Sequence, residues 1–155
     1  MMMPEIATRT ASQAMAAVEA EIEALASGGD AYDHGAAVAT VEKLLALGER
    51  VLEIWIETRG QTPTEERREG FRLLALHRQG AKGDPSFNAC RETARELAYH
   101  YNLIIAEPDH PEIQQRLALA AMLARHLCLF VGGKIEVAGL GEFCCSSRPL
   151  RAEGG

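Results

Sequence analysis

From Phe87 to Ile104, small or apolar side chains recur at Phe87, Cys90, Ala94, Leu97, Tyr101 and Ile104, at intervals of 3, 4, 3, 4 and 3. A helix of 3.6 residues per turn gathers such positions into one stripe, whereas the two-residue period of a strand scatters them over both faces. The seam therefore predicts a helix with one buried side, which needs other helices to bury it. Cys90 reads as a small core hydrophobe within it. Arg91, Glu92, Arg95, Glu96, Tyr99 and Asn102 fall on the outer sides, where Glu92 and Arg95 can pair at i,i+3. His100 lies at the boundary.

The same period recurs along most of the chain and predicts about five helices. The first covers about 10–27, with Met15, Val18, Ile22 and Leu25 on one side and Gly28–Gly29 as its stop. The second starts with Asp30 or Asp33 as cap and runs to about Arg59. Its apolar residues spread over a wide arc from Val38 to Trp55, so it packs against several neighbours. Thr62, Pro63 and Glu65 form a capping box for a third helix that ends in the stretch 80–83. Asp84 and Pro85 repeat the cap-plus-proline signal for a fourth. The fifth covers about 111–131 and is stopped by Gly132–Gly133. Beyond it, KIEVAGLGEFCC suggests a short strand, a hairpin or an irregular clasp. The expected fold is a single all-α domain over 1–155, a compact antiparallel bundle with residues 1–9 and 146–155 as mobile tails.

At 155 residues the chain is long enough for one sizeable core. Its net charge is −6, and residues 1–62 hold four basic and ten acidic side chains. Arg67, Arg68, Arg72 and Arg78 form the one basic concentration, diluted by Glu65, Glu66 and Glu69. Such a balance argues against nucleic acid as partner. Arginine far outnumbers lysine, which together with the alanine content reads as coding bias of a GC-rich bacterium. No apolar run of 18 residues points to a membrane span, and the start has no apolar core of a secretory signal. Four cysteines in such a chain suit a reducing cytoplasm.

Catalytic and cofactor motifs are absent: no paired Glu-x-x-His, Cys-x-x-Cys, phosphate-binding glycine loop or GxSxG elbow occurs. Three weaker features remain. Helix five carries one apolar seam from Leu117 to Val131 and a second at Leu119, Met122, His126 and Phe130, either central packing or the surface of a homodimer. Arg125 beside the first seam needs a carboxylate or a bound anion. His77, His100, His126 and Cys128 offer soft-metal or haem ligands, with Cys90 as a further thiol. Cys144 and Cys145 near Arg148 and Arg151 offer reactive thiols.

The expectation is a cytoplasmic binding or regulatory protein, with His77, Tyr99, His100, Arg125 and His126 as ligand-binding candidates and a protein partner or second copy along helix five. The alternative is a metal, haem or redox protein for sensing or electron transfer. A hydrolase or transferase using His100 with Glu96 and Tyr99 as acid–base groups ranks third.

Overall fold

The computed structural model describes the backbone of residues 4–27 and 34–144, and side chains over 10–27 and 36–139. Five α-helices follow one another: α1 (Pro4–Ala26), α2 (His34–Thr58), α3 (Arg72–Ala81), α4 (Arg91–Ala106) and α5 (Ile113–Cys144), with a short 3₁₀ helix at Pro85–Cys90 before α4. The described residues contain no named strand, only an isolated bridge between Arg68 and Phe71. This is an all-α bundle.

Its centre is the pair α2 and α5. Helix α5 packs on α1, α2 and α4, while α2 also touches α1, α3 and α4. Leu44, Val51, Leu52 and Ile56 of α2 are fully buried, as are Ala120, Ala124, Leu127 and Val131 of α5. The α4 seam behaves as its spacing requires: Phe87, Cys90, Ala94, Leu97 and Ile104 are buried, and Tyr101 packs edge-on against Phe71 at 5.7 Å. Gly48 lets α2 and α4 approach closely, because a Cβ there would lie 2.9 Å from Leu97 Cδ2 and 3.3 Å from Leu73 Cδ1.

Four boundaries differ from the sequence reading, among them the start of α4, which follows the 3₁₀ helix at Pro85–Cys90. Helix α1 begins at Pro4, so it takes in residues 4–9, expected as tail. The proposed caps Asp30 and Asp33, the Gly28–Gly29 stop and the tail 146–155 lie outside the described residues.

The Thr62–Glu65 capping box does not start α3. That stretch stays outside any helix and leads into a tight turn in which Arg68 and Phe71 exchange both backbone hydrogen bonds at 2.9 Å. Glu69 (φ 55°) and Gly70 (φ 86°) occupy the left-handed region that a two-residue turn of this hand demands. Side chains supply what a helix would have supplied: the Thr64 N–H donates to Gln79 Oε1 at 2.8 Å, and Arg72 Nε donates to the Thr64 carbonyl at 2.8 Å. Arg72 also bridges to Glu53, with Glu49 at 3.8 Å and Glu65 at 3.6 Å.

The helix stop at Gly132–Gly133 and the short strand, hairpin or irregular clasp expected beyond it are replaced by continuous helix to Cys144. Glycine inside a helix costs about 1 kcal/mol, and tertiary contact outweighs it here. Val131 and Ile135 on either side are buried. Lys134 Nζ reaches Asp84 Oδ2 at 2.9 Å and donates to Ser86 Oγ at 2.7 Å, while lying 5.5 Å from the Trp55 ring centroid. Asp84 therefore serves α5 as an anchor and makes no side-chain cap for the 3₁₀ helix.

Candidate functional site

Helix α3 is only ten residues long and buries Leu73, Leu76 and His77 against the bundle. Its outer side carries Arg78, and Lys82 follows one turn later. Across from it, Asn88, Arg91 and Arg95 share one side of the 3₁₀–α4 segment through their 3 and 4 spacing. Arg68 of the tight turn closes the end. Together with Leu74 and Ala81 they enclose an open cleft of about 530 Å³, lined by five cationic side chains and no carboxylate.

Ion pairing divides the described cations, and outside the cleft Lys43, Arg59 and Arg67 also have no carboxylate within 4.0 Å among the described residues. Arg50, Arg72, Arg116, Arg125 and Lys134 each hold an Asp or Glu. In the cleft only Arg95 does, to Glu69 Oε2 at 3.3 Å. Arg68, Arg78, Lys82 and Arg91 have no carboxylate within 4.0 Å among the described residues. Like charges four apart on one helix, as at Arg91–Arg95, destabilise it by a few tenths of a kcal/mol, so that pair does not serve helix stability.

His77 forms part of the cleft wall. It is 5% exposed, its ring stacks on Phe87 at 5.3 Å, and Nε2 lies 3.2 Å from the Phe87 carbonyl. A carbonyl only accepts, so Nε2 carries the proton and Nδ1 is left as an acceptor. Burial lowers the His77 pKa, and the nearby Arg91 charge pushes the same way against the opposing hydrogen bond to Phe87. The imidazole is therefore neutral at pH 7, and the charge in the cleft comes from its arginines and lysine.

Two depressions adjoin the cleft. One of about 350 Å³ shares Leu74 and Arg95 with it and is lined by Phe71, Tyr99 and Asn102, with Glu69, Glu92 and Glu96. The other shares Arg68, Arg78 and Lys82 and adds Arg67, Thr64 and Gln79, with Glu66 as its one carboxylate. Through these shared residues the three form a trough with a mainly cationic end and an aromatic, acidic one.

The residues singled out from sequence are not one site. Tyr99 lies in the acidic depression, 59% exposed, with its ring edge-to-face against His100 at 5.3 Å. His100 faces Arg116 and Glu96; burial lowers its pKa, and its Nδ1 has no hydrogen-bond partner. Arg125 finds its carboxylates in α1, Glu23 at 3.3 Å and Glu19 at 3.7 Å. His126 is exposed on α5 with Leu119 and Met122, whereas Phe130 of the same predicted seam turns inward and meets Phe87 edge-on at 5.9 Å.

No group of three His, Cys, Asp or Glu side chains is placed to hold a metal among the described residues. Cys90 Sγ donates to the Phe87 carbonyl at 3.3 Å, and Cys128 Sγ to the Met15 carbonyl at 3.7 Å. Burial raises their pKa to about 12 and about 11, so both remain thiols. Cys144 ends α5 with its side chain undescribed, and Cys145 lies outside the described residues.

Sequence reasoning missed the cleft because it treated Arg91 and Arg95 as a solvated side and counted Glu65 against the arginines. Folding directs Arg72 and Glu65 toward each other and adds Lys82, Arg91 and Arg95 to Arg68 and Arg78. The i,i+4 like-charge pairs were the available signal.

No family model, curated protein or solved structure matches this chain.

Proposed function

We propose that this is a non-catalytic binding or regulatory protein whose ligand is a small polyanion held between α3 and α4. One observation carries the reading: four cationic side chains without carboxylate partners line one cleft of a chain with net charge −6. Three of the four are arginines, whose planar fork matches phosphate and carboxylate oxygens in bidentate fashion. The cleft offers several fixed donors to an anion, and among the described residues that line it no hydroxyl or thiol stands beside His77 as a nucleophile. Isothermal titration with pyrophosphate tests this. Binding is expected to weaken as salt rises and to fall at least tenfold in the double variant Arg78→Ala, Arg91→Ala. Absence of binding at millimolar pyrophosphate, or equal affinity in the variant, refutes the reading.

A second reading rests on α5. Leu119, Met122, Leu129 and Val137 are 39%, 45%, 47% and 69% exposed on a helix whose opposite side fills the core. By length and composition, Ile113–Gly139 would also suffice to cross a membrane, although it is packed here as a core helix. Apolar surface repeated at helical spacing is suited to a second copy of the same helix. Met122→Glu then turns a dimer into a monomer by light scattering; an unchanged mass removes this reading.

A further inference from the structure

We infer that the ligand of the trough is a nucleoside diphosphate whose base carries an amino group. This rests on the reading of the α3–α4 cleft as an anion site and extends it to the adjoining depression. The two cavities share Leu74 and Arg95 as a common wall, so one molecule can occupy both. Together they fall in the range of small-molecule sites.

Their electrostatics are opposed, and that polarity fixes an orientation. Phosphate oxygens are drawn to Arg78 and Arg91 and repelled by Glu92 and Glu96 at the other end. The far end demands the complementary chemistry: a flat surface for an aromatic ring, and hydrogen-bond donors for carboxylates. Tyr99 supplies the ring, 59% exposed in a chain with 5% aromatic residues, and His100 at 5.3 Å braces it from one side. Nucleobases stack on exposed aromatic side chains of this kind irrespective of identity. The carboxylates of Glu92 and Glu96 accept hydrogen bonds and donate none, and Asn102 can accept as well. Adenine, guanine and cytosine present exocyclic amines there. Uracil presents two carbonyls and a single ring N–H, and its carbonyls would face carboxylates.

Titration of the full chain with GDP, ADP, UDP and pyrophosphate decides the matter. GDP or ADP is expected to bind at least tenfold more tightly than both pyrophosphate and UDP. Tyr99→Ala, at an exposed position that the fold does not need, is expected to lower that nucleotide's affinity to the pyrophosphate level while leaving pyrophosphate binding unchanged. If pyrophosphate binds and both purine nucleotides lie within threefold of it, or if Tyr99→Ala changes nothing, the nucleotide inference falls while the anion site stands. If none of the four binds, both fall.

Discussion

Gly48 and Leu97 form a pair whose coupling can be worked from the packing. A methyl group at Gly48 would sit 2.9 Å from Leu97 Cδ2 and 3.3 Å from Leu73 Cδ1, and both leucines are fully buried. Alanine gains about 1 kcal/mol of helix propensity over glycine. Overpacking of a closed core costs about 1–3 kcal/mol, so Gly48→Ala should be destabilising by about 1 kcal/mol. Leu97→Ala empties a fully buried site and should cost about 2–5 kcal/mol. In the double variant the new methyl occupies space that Leu97 Cδ2 has vacated. The clash with Leu97 disappears and part of the cavity is filled, leaving only the 3.3 Å approach to Leu73. The two changes together should therefore cost less than their sum by about 1–2 kcal/mol, a coupling expected only of residues in contact. Urea unfolding followed by circular dichroism, with the fluorescence of the single Trp55 as a second probe, measures all four corners of the cycle. Additivity within about 0.5 kcal/mol would show that α2 and α4 do not meet at this point and would refute the reasoning.

Three other expectations follow from the same contacts. Glu92→Ala, on the outer side of α4, should change stability by no more than about half a kcal/mol, and a larger loss would mean that the seam is misassigned. The Asp84 carboxyl is held below the ordinary carboxylate range by hydrogen bonds from Ser86 and Lys134. Its contribution is present above about pH 4 and is lost as pH falls through the lowered value. Lys134→Met should accordingly lower Tm by a few degrees at pH 7, and the gap to the natural protein should narrow in acid; a gap that does not change with pH removes the ion pair as its cause. His77 has its pKa lowered by burial, so the unfolded chain binds its proton first as pH drops below 6.5 and the native state loses stability there. His77→Gln should flatten the rise in urea midpoint between about pH 5 and 7, with a residual slope from His100, whose pKa is shifted the same way; an undiminished slope would place the titration elsewhere.

Much of the bundle was legible in the residues. The 3–4 spacing of the seam predicted its buried side, with Tyr101 half-buried and Ala98 buried beside it, because that spacing is a property of the helix and needs no knowledge of the partner. The wide apolar arc of α2 correctly announced several neighbours, and the first seam of α5 from Leu117 to Val131 is core. Local signals failed where a distant contact outweighed them. Thr62, Pro63 and Glu65 have the chemistry of a helix start, yet Gln79 and Arg72 take the backbone groups of Thr64 and hold the segment out of a helix. Gly132 and Gly133 have the chemistry of a helix stop, yet packing of Val131 and Ile135 and the anchoring of Lys134 to Asp84 carry α5 through them.

The candidate site divides in the same way. Arg91 and Arg95 were visible on the outer side of α4, and Arg68 and Arg78 were visible as a basic cluster, but their convergence was not. It depends on the turn at Glu69–Gly70 and the break at Gly83, which bring α3 back alongside α4. Likewise, nothing in the sequence marks Gly48 as the point where two helices touch. Sequence by itself determined which side of each helix is apolar, because helical period is a local property of the backbone. Tertiary structure alone decided where helices end, which charges find partners and which are left facing one cleft, because each of those outcomes is a competition between groups far apart in the chain.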